Sequence, residues 1–262
     1  MSNVTTKLKG IQQWYDGSVS WKDNTINIKN KTYNVDELPL DVPLNGTVYG
    51  ALLNDKGMYD KFEPSMNQDP YKAPPKAPVL YIKPANTIIG SKTEIPLPSH
   101  VSQLQMGAAL AVVMGEQATK VKEQDAFDYI KGYTIVNDVS IPHESVYRPA
   151  IKEKARDGFC PVGPWVVDRD CIDNPNDLNI QVYVNGQLKQ ENNTNNLIRD
   201  IGKLIADVTS FMTLYAGDAL LVGISDEAPL AEEGDTVTIT IPGVGTLENS
   251  IQKEELALGG TT

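Results

Sequence analysis

Ala109-Leu-Ala-Val-Val-Met114 and, further on, Tyr133-Thr-Ile-Val-Asn137 are apolar runs of strand length. Read outward from this pair, the same signal recurs at 79–83, 165–168, 179–184, 219–223 and 236–241. Tyr183-Val-Asn-Gly-Gln-Leu188 predicts a hairpin, because Asn-Gly accepts the positive φ of a type I′ turn. Two segments predict helices. One spans 121–130 and ends near Gly132, a suitable residue past a helix terminus. The other spans 195–214, where Leu197, Ile198, Ile201, Leu204, Ile205, Val208, Phe211 and Met212 fall at helical spacing and Asn193 or Thr194 supplies a cap. That stripe reads as core packing. Strands outnumber helices and do not alternate with them as regular βαβ units. The sequence therefore predicts a β-rich α+β fold rather than a doubly wound sheet.

Upstream, 18–21 and 25–29 read as strands around the polar turn Lys22-Asp-Asn24. Asp69-Pro-Tyr-Lys-Ala-Pro-Pro-Lys-Ala-Pro78 carries four prolines in ten residues, which continue neither a helix nor a central strand. The expected organisation is a small N-terminal β region over 1–68, a Pro-rich connector over 69–78, a core over 79–252 and a tail over 253–262.

The chain has 262 residues and a formal net charge of −11. Nucleic acid is a poor partner for such a surface, since phosphate binding needs a basic footprint. Any acid the protein binds must be held by a local cationic cluster against the overall field. No apolar run reaches the roughly 20 residues of a membrane helix, and the N-terminus lacks the apolar core of a signal peptide, so the expected location is the cytoplasm. Cys160 and Cys171 make neither a disulfide framework nor a zinc motif with His100 and His143. Cys160, before a proline in an apolar run, reads as buried and inert.

Four segments in order carry a resemblance: Tyr81-Ile-Lys-Pro-Ala-Asn-Thr87, Ala109-Leu-Ala-Val-Val-Met-Gly115, Gly132-Tyr-Thr-Ile-Val-Asn-Asp-Val-Ser140 and Lys154-Ala-Arg-Asp-Gly-Phe-Cys-Pro-Val-Gly-Pro-Trp165. From about residue 79 to 251 the chain resembles the fumarylacetoacetate-hydrolase-like family. Pro70-Tyr-Lys-Ala-Pro-Pro-Lys76 and Glu144-Ser-Val-Tyr-Arg-Pro-Ala-Ile-Lys152 resemble its isomerase/decarboxylase branch, which serves 4-hydroxyphenylacetate breakdown. The resemblance implies a mixed β-sandwich roll and a Mg²⁺ or Mn²⁺ ion that polarises a 2-oxo acid or its enol. Moving a double bond of such an acid, or removing CO2 from it, passes through a dienolate, and a hard Lewis acid stabilises that charge.

The chain departs from this pattern at the metal. The family's two glutamates, one residue apart at the start of the Leu-Ala-Val-Val strand, align with Gly107 and Ala109, which leaves Asp138 as the only expected ligand. Metal binding is therefore expected to be weak or absent. The family's histidine aligns with Met58, and its Gly-Thr-Pro loop reads Gly223-Ile-Ser225. The cations remain: Arg148, Lys152, Lys154 and Arg156 fall within nine residues, and Lys83 lies in the Ile-Lys-Pro motif. Lys154 aligns with the family's active-site lysine. Lys154 and Asp138 are the candidate catalytic residues, and Arg148, Lys83 and Arg156 the candidate binders of a dicarboxylate. Taken alone, the basic run also reads as a solvated loop, Asp138 as an Asx turn, and Asp157 as either an orienter of Lys154 or a turn cap.

The resemblance implies an isomerase/decarboxylase of unsaturated 2-oxo di- or tricarboxylates. The alternative is a non-catalytic subunit that pairs with a metal-competent paralogue. Either reading implies a homo- or hetero-oligomer.

Overall fold

The computed structural model describes residues 1–143 and 148–254; residues 144–147 of the second branch-like segment and 255–262 of the expected tail lie outside the described residues. The strand Ala108–Met114 is the centre of a twelve-stranded mixed sheet. It pairs antiparallel with Ile130–Asn137 on one side and with Ala219–Leu221 on the other. Beyond Ile130–Asn137 come Cys160–Asp168, Ser2–Leu8, Trp14–Ser20, Thr25–Ile28 and Lys31–Asn34. Beyond Ala219–Leu221 come Val48–Leu52, parallel to it, and Val79–Lys83 at the edge.

The central strand reads as unbroken apolar sequence because both its faces are covered. Leu110, Val112 and Met114 face a large core, whereas Ala109, Ala111 and Val113 face a smaller one with Val48, Val136, Cys160, Val162 and Leu221. The large core is closed by a second sheet of Gln187–Asn193, Asn179–Val184, Thr236–Ile241, Gly245–Lys253 and Glu94–Leu97. Along Thr236–Ile241 every second residue is buried, and Val237, Ile239 and Ile241 join Leu110, Ile135 and Trp165. This is sheet-on-sheet packing, the β-rich α+β sandwich expected. The Asn-Gly hairpin forms as read: Asn185 and Gly186 have φ of 51° and 74° between Val184 and its partner Gln187.

The sheet ignores the expected boundaries around the proline-rich stretch. Val4 pairs with Val167, and Val48–Leu52 lies between Ala219–Leu221 and Val79–Lys83. A period of two marks a strand but not its partner, so the N-terminal strands read as a region apart although they pair with the core.

The helices also differ. Within 195–214 the α-helix is confined to Ile201–Thr209, preceded by a 3-10 turn at Thr194–Asn196. The cause is Asn54. Its backbone carbonyl accepts from Ile198 N at 2.8 Å, and its side chain accepts from Arg199 N at 3.0 Å, which holds this segment extended. Asp200, rather than Asn193 or Thr194, caps the helix by accepting from Lys203 N. Ile198 and Phe211, at the ends of the apolar stripe, are exposed. The segment expected as a helix over 121–130 is a 3-10 helix, Glu123–Tyr129, that runs straight into a strand. Gly132 lies inside that strand, where a Cβ would overlap Val167 O. Among the described residues no helix is long and apolar enough to cross a membrane.

Ile201 is fully buried at the start of the helix and Phe211 is exposed beyond its end. Ile201→Ala is expected to cost about 2–5 kcal/mol in urea unfolding, and Phe211→Ala no more than about 0.5 kcal/mol. Equal costs for the two would show that the stripe is buried along its whole length.

Candidate functional site

Asp138 stands just past the strand Ile130–Asn137, its N–H donating to Gly107 O at 2.8 Å. This carries its carboxylate out of water, and three side chains answer it. Lys83, the last residue of the edge strand Val79–Lys83, brings Nζ to 2.7 Å from Oδ1. Lys154, at the end of the single-turn helix Ile151–Lys154, brings Nζ to 2.7 Å from Oδ2. The Tyr81 hydroxyl donates to Oδ2, also at 2.7 Å. The side chains of Asp138 and Lys83 are wholly buried, while that of Lys154 is 19% exposed.

Burial by itself pushes the Asp138 carboxyl up. The charges of Lys154 and Lys83 and their hydrogen bonds outweigh it and hold the group well below the usual carboxylate range. Tyr81 moves the other way: burial first, then the Asp138 charge, keeps its hydroxyl protonated and a donor.

Tyr81, Asp138 and Lys154 line a cavity of about 370 Å³. The helix Lys56–Met66, capped by Asp55, borders it through Met58, Lys61, Phe62 and Ser65, which share one face at helical spacing. Gly107, Ser140 and His143 contribute on another side, and Ile224, Ser225 and Asp226 on a third. A second cavity, of about 430 Å³, lies beside Trp21 and Trp165 and is lined by none of these residues.

The structure thus brings Lys83, Asp138 and Lys154 together but leaves the two arginines outside. Arg148 is exposed, beside the residues not described, and Arg156 reaches Glu254 at 3.4 Å. Neither lines the cavity. Asp157 accepts from Asn86 at 2.7 Å, whereas Lys154 Nζ reaches Asp138. Cys160 is buried, its thiol pushed up to about 12 by that burial. Sequence reasoning missed Tyr81 and Lys61 as site residues. The signal for Tyr81 was present, since alternation along Val79–Lys83 puts it on the same face as Lys83. Lys61 is three residues beyond Met58, one turn along the same helix face.

The donor set does not fit a Mg²⁺ or Mn²⁺ ion. Asp138 Oδ2 accepts from Lys154 and Tyr81, Oδ1 faces the Lys83 ammonium at 2.7 Å as an ion pair, and no group of three His, Cys, Asp or Glu able to hold a metal occurs among the described residues. Gly107 and Ala109 bring no side-chain oxygen.

The sequence matches the family described as fumarylacetoacetate (FAA) hydrolase, C-terminal, over residues 47–252. It is 42% identical over 211 residues to the 4-hydroxyphenylacetate degradation bifunctional isomerase/decarboxylase of Escherichia coli, covering 80% of this chain and 48% of that protein. The chain spans about half the length of the curated relatives it matches first. The 5-carboxymethyl-2-hydroxymuconate delta-isomerase of Mycobacterium smegmatis superposes with a TM-score of 0.79 at 28% identity, over 98% of this chain and 100% of that one. A maleylpyruvate hydrolase of Sphingobium, solved with manganese(II) and pyruvate, shares the fold with a TM-score of 0.77 at 21% identity, over 97% of this chain and 100% of its own.

Replacing Asp138 by Asn leaves Lys83 buried with no matching charge, and is expected to cost about 3–5 kcal/mol in denaturant unfolding. The folded-state pKa of Asp138 lies below its unfolded value. Its carboxylate therefore adds stability above about pH 4, and this contribution fades as the pH falls further. Melts of both proteins across acid pH are expected to converge. A constant gap would show that the Asp138 charge does not stabilise the fold.

Proposed function

Because the chain belongs to the fumarylacetoacetate hydrolase family, we propose that it is an isomerase/decarboxylase of unsaturated 2-oxo (2-hydroxydiene) di- or tricarboxylates, of the kind formed in 4-hydroxyphenylacetate breakdown. The observation that carries this reading is the cation-bearing cavity in a chain of net charge −11. Lys154 on the cavity and, behind it, the wholly buried Lys83 together exceed the single charge of Asp138, so the field on this side of the cavity stays positive for an acid. Lys61 on the bordering helix supplies a second cation for the other end of a diacid. Asp226, also on the wall, lies against Gly57 in the first turn of that helix, where a carboxylate is favoured by the helix dipole.

The chemistry assigned to these residues needs charge stabilisation and one proton carrier. Isomerisation of a 2-hydroxydiene removes the proton of the 2-hydroxyl and returns one to a carbon of the chain, with a dienolate between; decarboxylation of a 2-oxo acid leaves the electrons of the broken C–C bond in the same kind of dienolate. Lys83 is wholly buried and does not line the cavity, whereas Lys154 is the lysine of the pair that opens on it. Lys154, as its ammonium, is assigned to the developing oxyanion; it gives a proton to carbon and recovers one from the 2-hydroxyl, and Asp138 holds it in place. The Tyr81 hydroxyl, kept protonated, donates to the same carboxylate oxygen as Lys154 and so fixes it from a second direction.

One observation favours a second reading. The aligned glutamate positions are Gly107 and Ala109, which suits an acid-binding subunit that is catalytically silent and assembles with a metal-competent paralogue. The first reading places the protein in the cytoplasm as a self-associating enzyme, and the second as one part of a mixed oligomer.

Purified protein is expected to consume 2-hydroxyhepta-2,4-diene-1,7-dioate, followed by loss of the conjugated dienol absorbance, and Lys154→Met is expected to lower the rate about 10²–10⁴-fold. No turnover alone, with turnover restored only when a metal-competent paralogue co-sediments, would replace the first reading by the second. A monomer in sedimentation that ignores the paralogue would count against both assemblies.

A further inference from the structure

We infer that Lys83, steadied by its neighbours, takes the place of a divalent ion in this site, so that the cavity binds dicarboxylates without metal. This rests on the reading of the cavity as an acid-binding site. An ammonium has three N–H donors and no acceptor. Lys83 Nζ meets three oxygens: Asp138 Oδ1 at 2.7 Å, Lys154 O at 2.7 Å and Val139 O at 3.3 Å. A carboxylate and two carbonyls supply oxygens of the kind a hard ion takes, but too few to complete its shell, and here they surround a group tethered to the chain. One of those carbonyls is that of Lys154, so the fixed cation also positions the residue that opens on the ligand.

Two glycines make this arrangement part of the fold. Gly50 pairs directly across from Tyr81, and a Cβ there would overlap the tyrosine ring. The bare glycine lets the ring lie across it and bring its hydroxyl to Asp138, with Lys154 Nζ at 5.2 Å from the ring centroid. At Gly107 a Cβ would stand 2.6 Å from the backbone oxygen of Asp138. A glutamate at 107 therefore cannot be restored on this backbone without moving Asp138 itself. Ala109 is wholly buried, packed with Val136 and Cys160. The metal ligands are not merely missing, since the space of one is closed by main chain and that of the other by core.

Calorimetry with heptanedioate tests this, using protein stripped with EDTA and then supplied with Mg²⁺ or Mn²⁺. The expected result is binding that agrees within about twofold between the two conditions. Tyr81→Phe keeps the ring over Gly50 and removes the hydroxyl, and is expected to weaken binding about threefold to tenfold. Lys83→Met frees Asp138 Oδ1, and is expected to weaken binding about tenfold or more without metal and to make it respond to Mn²⁺, a response that loss of packing alone does not create. If Lys83→Met fails to fold, the stripped wild-type protein and Tyr81→Phe still decide. Binding of heptanedioate by wild type only with metal would overturn the inference while leaving the acid-binding reading intact. No binding under either condition would overturn both.

Discussion

One buried negative charge organises this molecule. A lone carboxylate in the interior would either neutralise itself or cost several kcal/mol. At Asp138 it does neither, because Lys83 and Lys154 reach it from separate elements. Lys83 comes from an edge strand held by Val48–Leu52, and Lys154 from a short helix between two central strands. The sandwich brings these ends together. Strands 108–114, 130–137 and 160–168, covered on both faces, form the frame around which two lysines and a tyrosine gather on one carboxylate.

The protein's charge economy follows from the same point. The surface carries the acidic excess, yet the cations that matter for an anionic ligand are inside or at the rim of one cavity. The arginines show the contrast: Arg156 spends its charge on Glu254 at the surface, where such pairs contribute little.

Much of this was legible in the sequence. The apolar runs around 109–114 and 133–137 mark central strands because both faces are buried, and Asn185-Gly186 marks its turn because few other pairs accept that backbone. The motifs that hold Lys83, Asp138 and Lys154 lie apart in sequence, and the structure brings those three side chains together. The illegible parts depended on partners distant in sequence. The helix before Ile201 was shortened by hydrogen bonds to Asn54, which no window around 195 contains. The N-terminal strands look independent until Val4 is seen against Val167. Arg148 and Arg156 sit close to Lys154 in sequence, but each side chain takes its own direction, and neither joins the cavity. Tyr81 was overlooked because a tyrosine on an edge strand reads as packing until its hydroxyl is seen on Asp138.

The helix that borders the cavity belongs to a stretch that leaves the large sheet after Leu52 and returns at Val79, and those two residues face each other across the ladder. The excursion is thus a closed handle on a fixed base. Because loop closure costs grow only slowly with length, its sequence and span are free to change while the sheet below stays in register. The floor of the cavity, set in the frame, and its wall, set in the handle, are separable parts of one pocket. A lineage can therefore redraw the far end of the acid it accepts, Lys61 included, by rewriting the helix Lys56–Met66, without touching the Lys83–Asp138–Lys154 cluster set in the frame.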